Sequence, residues 1–131
     1  MFQTIIIADD SATARMFVKR CLEIAGYDST TLLEACDGRE ALELAGTRQA
    51  DLLITDLNMP VMDGKSLLKR VKSSPKLVGL EVLVISSLSS PAKEAELKEL
   101  GALAVLSKPI TPAKLMDVLP QTIKPEKTTW G

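Results

Sequence analysis

The amino-acid sequence predicts an α/β protein: a doubly wound parallel sheet of five strands with helices on both faces. Three observations predict it. Five short apolar runs, partly β-branched and too short for helices, recur along the chain. Stretches of roughly helical period separate them. The runs are continuous rather than alternating, which marks strands buried on both sides, and their alternation with helices marks parallel pairing. Right-handed crossovers then leave few topologies, and the expected strand order is 2-1-3-4-5.

The first strand is Thr4 to Ala8, T-I-I-I-A, ending at Asp9-Asp10-Ser11, where Ser11 or Asp10 can cap the next helix. That helix runs from Ala12 to Ala25, with Met16, Phe17, Leu22, Ile24 and Ala25 as its apolar residues, and Gly26 stops it. Thr30 to Ala35 is the second strand. Asp37 and Glu40 have capping-box spacing ahead of a short helix carrying Ala41, Leu42, Leu44 and Ala45. Leu52 to Thr55 is the third strand, and Asp56 stands where it reaches the surface. Asn58, Pro60, Asp63 and Gly64 follow as a dense set of turn residues. Lys65 to Ser73 is a helix with Leu67, Leu68 and Val71 inward, followed by a loop at Pro75 and Gly79. Val82 to Ile85 is the fourth strand, ending at Ser86-Ser87. Pro91 to Leu100 is a charged helix stopped by Gly101. Ala102 to Leu106 is the fifth strand, ending at Ser107-Lys108-Pro109. A last helix starts at Thr111 or Pro112, with Leu115, Met116, Val118 and Leu119 on its apolar side. Residues Pro120 to Gly131, with Trp130, read as a tail.

Composition narrows the chemistry. The 131 residues suit one domain, and 46% apolar content suffices for a buried sheet. A net charge of −1 leaves no broad basic footprint for nucleic acid, and 3% aromatic content argues against base stacking. The absence of histidine excludes Ser-His-Asp and Cys-His nucleophilic systems and any His-ligated metal. Cys21 and Cys36 lack metal-ligand spacing and read as buried free thiols, suited to a reducing cytosol. No signal peptide and no membrane-spanning run is expected.

In a parallel sheet the strand C-termini share one edge, and ligands bind outside it at the switch point. Asp9, Asp10, Asp56, Ser86, Ser87 and Lys108 all fall there. Each is ordinary alone: a capping acid, a turn serine, a loop lysine. Together they are three carboxylates that repel, two hydroxyls and one ammonium. Oxygen-only donors favour Mg²⁺ over Zn²⁺. A cation, a lysine and a hydroxyl around one carboxylate are the parts of a phosphoryl-transfer site, and the carboxylate can itself be the nucleophile.

The quoted residues resemble the receiver domain of bacterial two-component response regulators, above all the stand-alone chemotaxis type. D-D-S at Asp9 to Ser11, D-L-N-M-P-V-M-D-G from Asp56 to Gly64, Ser86-Ser87 after V-L-V-I, and S-K-P at Ser107 to Pro109 carry the resemblance. It spans Thr4 to Leu119 and implies a flavodoxin-like receiver domain over residues 1–120 with a tail over 121–131. It implies that Asp56 is the phosphoacceptor. Asp10 directly, Asp9 through water, Asp56 and the Asn58 carbonyl would bind Mg²⁺. Ser86, with Ser87 beside it, would hold a phosphoryl oxygen and act in the switch, Lys108 would contact the phosphoryl group, and the bond before Pro109 would be cis. The donor would be a sensor histidine kinase or histidine phosphotransfer protein. Output would pass by protein contact to a downstream effector, with neither nucleic acid nor membrane as partner. The protein would be cytoplasmic, a monomer or phosphorylation-dependent dimer, and a signalling switch rather than an enzyme.

One departure stands out. Three residues before the lysine of K-P the family usually carries Tyr or Phe as a rotameric switch, and here the residue is Val105. A valine has no ring to swing. Three other readings fit less well. A constitutive interaction module would have lost an acceptor or metal residue, and none is lost. An aspartate-nucleophile phosphatase needs a second Asp two residues after the first, where Asn58 stands. A dinucleotide binder needs a glycine-rich first turn, which A-D-D-S-A-T-A lacks.

Overall fold

A computed structural model describes residues 2–87 and 90–119. The predicted tail, with Trp130, lies outside the described residues, as do Leu88 and Ser89 of the loop after the fourth strand. The elements in chain order are β1 (Thr4–Ala8), α1 (Ala12–Leu22), a π-turn (Glu23–Tyr27), β2 (Thr31–Ala35), α2 (Gly38–Arg48), β3 (Leu52–Asp56), α3 (Gly64–Lys72), β4 (Glu81–Ser86), α4 (Pro91–Glu99), β5 (Ala104–Ser107) and α5 (Pro112–Val118). All pairings are parallel, as the apolar runs predict, and the order is the expected β2-β1-β3-β4-β5. Among the described residues no helix is long and apolar enough to cross a membrane.

Side chains alternate across the sheet with period two, so each strand feeds two cores. Ile5 and Ile7, Leu52 and Ile54, and Leu83 and Ile85 face one side. There they meet Val18, Cys21 and Leu22 of α1 and Leu115 of α5. Ile6, Leu53, Val82 and Val84 face the other, against Ala41 and Ala45 of α2, Leu67, Leu68 and Val71 of α3, and Leu97 of α4. Side-chain caps start each helix. Ser11 accepts from Ala14 N–H, Asp37 from Glu40, Asp63 from Ser66, Ser90 from Lys93 and Thr111 from Lys114. Each satisfies a backbone donor that the helix leaves free, a contribution of about 1 kcal/mol apiece. The Glu40 carboxylate reaches back to Cys36 N–H, one residue further than a capping box requires.

Several expectations are corrected. The buried stripe of α1 and its π-turn is Val18, Cys21, Leu22 and Ala25, at the spacing of one helical face, while Met16, Phe17 and Ile24 point to solvent. Gly26 does end the helix, at φ 107°, but through a π-turn. Cys36 is exposed, not buried, because it follows an edge strand; Cys21 is buried, and both are free thiols. Met116 is exposed, since Leu115 and Val118 of α5, and Leu119 just past its end, are the residues that meet the core. Strand β5 starts at Ala104, because Ala102 N–H still bonds to Leu97 O and closes α4.

Candidate functional site

The C-terminal edge of the sheet collects the polar residues that end β1, β3, β4 and β5. β1 and β3 are neighbours in register, with Ala8 opposite Thr55, so the residues after them emerge side by side. Asp9, Asp10 and Asp56 each offer a carboxylate oxygen, and these oxygens all lie within 4.8 Å of one another. Asp9 and Asp56 are buried, and Asp10 is exposed. Asp56 belongs to β3 itself, whose five residues are all buried.

Backbone donors and one lysine hold this crowd. Asp9 Oδ1 accepts from Ser11 N–H at 2.9 Å, and Asp56 Oδ2 accepts from Asn58 N–H at 3.1 Å. Lys108 Nζ lies 2.8 Å from Asp56 Oδ1 and 3.8 Å from Asp9 Oδ2. The lysine is tied to the strand beside it, its N–H donating to Ser86 O at 2.9 Å. Ser86 is buried, opposite Ser107 in register. The Lys108–Pro109 peptide bond is cis. Ser87 is exposed and lines a cavity of about 390 Å³ with Asp9, Phe17, Lys108 and Pro109.

Burial pushes the Asp9 carboxyl above its ordinary range; the Ser11 N–H pulls it back in part, and the neighbouring Asp56 adds to the rise. Burial alone would lower Lys108. The hydrogen bond and charge of Asp56, with Asp9 and Asp10 behind it, outweigh that and hold its ammonium above the usual lysine value. The arrangement is therefore an acid cluster short of positive charge. Three oxygen donors without His or Cys fit a hard divalent cation, which would remove the mutual repulsion.

The loop from Asp56 to Gly64 folds back tightly. Gly64 N–H donates to Leu57 O at 2.8 Å, and a Cβ on Gly64 would sit 2.4 Å from Asp56 O. Only glycine lets α3 start that close to the acid. Met62 N–H bonds to Pro60 O at 2.7 Å around Val61, whose φ is 69°. This is a γ-turn with a β-branched residue in the left-handed region.

The structure brings together Asp9, Asp10, Asp56, Lys108 and Ser86. It places the Asn58 N–H on Asp56. Val105 is half-buried and packs on the core side that holds Leu97 and Ala102, under α4. Sequence reasoning missed Arg15. Its Nη1 donates to Asp9 O at 2.6 Å while Nε meets Glu34 Oε1 at 2.8 Å, tying the acid loop to β2. Helical spacing marks Arg15 only as a polar position, and its partner on β2 becomes visible only once β1 and β2 pair.

Comparison with known proteins agrees with this geometry. The family described as the response regulator receiver domain matches residues 5–120. The chemotaxis protein CheY-3 of Vibrio cholerae is 36% identical over 115 residues, covering 88% of this chain and 87% of that protein. CheY1 of Helicobacter pylori is 34% identical over 116 residues, covering 88% and 92%. The solved chemotaxis response regulator CheY4 of Vibrio cholerae superposes with a TM-score of 0.78 at 33% identity, over 91% of this chain and all of that one. With a sheet of that order and an acid cluster at its edge, this chain belongs to the response regulator receiver domain family.

Proposed function

We propose that Asp56 is the phosphoacceptor of this receiver and that Asp9, Asp10 and Asp56 hold Mg²⁺, with the Asn58 carbonyl completing the protein's share of the ligands. The observation that carries the reading is the contact of Lys108 Nζ with Asp56 Oδ1 at 2.8 Å, inside the cluster of three acids. An Asp56 oxygen attacks the phosphorus of a phosphohistidine or of a small acyl phosphate. The new P–O bond forms as the bond to the imidazole nitrogen or acyl oxygen breaks, and the leaving group departs with the electron pair. Mg²⁺, when bound, neutralises charge on the transferring phosphoryl oxygens. Lys108 exchanges its carboxylate partner for a phosphoryl oxygen, and Ser86, with Ser87 at the mouth, donates a hydrogen bond to another.

The donor is a histidine kinase or a histidine phosphotransfer protein, and the output is a protein contact. The protein acts in signalling, taking part in its own phosphorylation rather than turning over an external substrate. Free thiols at Cys21 and Cys36 fit a cytoplasmic setting. Because Val105 is small and stiff about χ1, the phosphorylated state is read out through the segment after Ser86 and through α4, not through a swinging ring at residue 105.

Mass spectrometry after incubation with Mg²⁺ and acetyl phosphate tests the assignment. One phosphoryl group per chain is expected, on the peptide that contains Asp56, and none without the metal. An adduct of equal stoichiometry in Asp56→Asn sinks the reading.

A further inference from the structure

We propose that Lys114, in the first turn of α5, is a positioning residue that sets Lys108 against Asp56. The inference rests on the reading of Lys108 as the phosphoryl contact.

Lys108 has a long side chain, 37% exposed, so its rotamers alone do not fix its ammonium. Its placement depends on the main chain beneath it. Lys114 Nζ donates to Ser107 O at 2.9 Å and to Pro109 O at 2.9 Å, with Ser107 Oγ at 3.5 Å. Ser107 and Pro109 are the two neighbours of Lys108, so one ammonium grips the chain on both sides of it. An ammonium has three donors, and bonds from a charged donor are the strong kind. Lys108 N–H is held separately by Ser86 O. Since β5 is an edge strand, no further strand helps to hold its end.

Lys114 is itself anchored. Its N–H donates to the capping Thr111 Oγ1 at 3.1 Å, and the next residue, Leu115, is fully buried. The position is a poor one for a cation on local grounds. It is the third residue of α5, where the helix dipole favours negative charge, and no acid stands in that turn to offset it. The carbonyls of Ser107 and Pro109 supply the compensation. Among the described residues the Lys114 ammonium bonds to Ser107 and Pro109 and to none of the three acids, so its effect on the site passes through Lys108.

The experiment measures two affinities of the full chain: Mg²⁺ alone, and beryllofluoride at saturating Mg²⁺, followed by ¹⁹F NMR. Lys114→Ala is expected to weaken beryllofluoride binding between about three- and tenfold, short of the roughly 100-fold that a full 1 Å misplacement can cost, and to leave Mg²⁺ affinity unchanged. Lys114→Arg, which keeps a charged donor, should recover most of the loss. Lys108→Ala should lose at least as much as Lys114→Ala, and the double variant should bind no worse than Lys108→Ala. A purely structural role for Lys114 would weaken both affinities together. That result, or a double variant clearly weaker than Lys108→Ala, overturns the inference, as does unchanged beryllofluoride binding in Lys114→Ala beside a weakened Lys108→Ala. Unchanged binding in Lys108→Ala overturns the reading of Lys108 and the inference with it.

Discussion

Strand β3 carries an aspartate just before it and another at its last residue, and the two have opposite fates. Asp51 precedes Leu52 at the N-terminal edge. Its Oδ1 and Oδ2 accept from Gln3 N–H at 3.2 and 3.0 Å, and Oδ1 accepts again from Thr4 N–H at 3.0 Å. Its own N–H donates to Thr4 O. Asp56 ends the strand, accepts one backbone bond from Asn58, and otherwise meets Lys108 and two more acids. The start of a parallel strand leaves N–H groups unpaired, and these suit a carboxylate. At the other edge Asp56 accepts one such bond while like charges converge on it, so the acid there needs a cation. The same residue type is held by backbone amides at one end of the strand and by a lysine at the other.

The comparison breaks first at Asp56. Asp56→Asn should abolish phosphorylation entirely while the protein still folds with no loss of stability, because the change removes one of three repelling charges. Phosphoryl stoichiometry and a urea melt on the same sample check both halves. Phosphorylation that survives, or a variant that fails to fold, would make Asp56 resemble Asp51.

Asp51→Ala should do the reverse. Losing charge-assisted bonds to two backbone amides costs about 1–3 kcal/mol, seen as a lower urea midpoint at constant slope. Its phosphorylation rate should match the wild type. A stable but unreactive Asp51→Ala would erase the distinction between the two ends.

A smaller effect concerns protons. The folded state raises the Asp9 carboxyl, mainly by burial, so the folded protein holds that proton more tightly than the unfolded chain. In metal-free buffer this group's contribution is therefore most favourable below the unfolded Asp value. It is lost as pH rises from about 4 through the raised folded value. Glu34 acts oppositely. Hydrogen bonds from Arg15 and Lys19 lower it, so its stabilisation is present at high pH and lost as pH falls through its depressed value. The difference between wild type and Asp9→Asn isolates Asp9, and denaturant melts with EDTA across this range should show the wild type losing ground as pH rises. In EDTA a slope of the opposite sign would contradict burial as the dominant cause, whereas saturating Mg²⁺ should itself reverse the slope, because the metal binds the deprotonated Asp9 of the wild type.

The smallest effect lies in the loops that flank the strand. Gln49, φ 54°, precedes Asp51 as the ordinary left-handed end of α2, whereas Val61, φ 69°, holds a γ-turn beyond Asp56. Val61 is 76% exposed, so little packing offsets its backbone conformation. Val61→Asn should stabilise the protein by about 1 kcal/mol, the low end of the cost of such a conformation. Gln49→Asn should change stability far less. Equal gains at both positions would mean that the loop after Asp56 holds no special strain.

The apolar runs, the cap at Asp37, a cap at Ser11 or Asp10, a helix start at Thr111 or Pro112, the stop at Gly26 and the gathering of Asp9, Asp10, Asp56, Ser86 and Lys108 at one edge were all legible in the sequence. Each rests on a local signal: period two or 3.6, a turn residue, the last polar residue after an apolar run. The parallel sheet then follows from the alternation of strands and helices, and the edge follows from the parallel sheet. Tertiary structure alone decided which face of α1 is buried, that Cys36 is exposed, and how the two aspartates of the β3 region differ. Met16 and Val18 are both apolar, and only the direction of the sheet separates them. Asp51 meets donors 47 and 48 residues away, and Arg15 and Lys114 act on backbone carbonyls that no side-chain pattern encodes. A sequence states what each residue can bond to, while partners distant in the chain are chosen when burial brings them within reach.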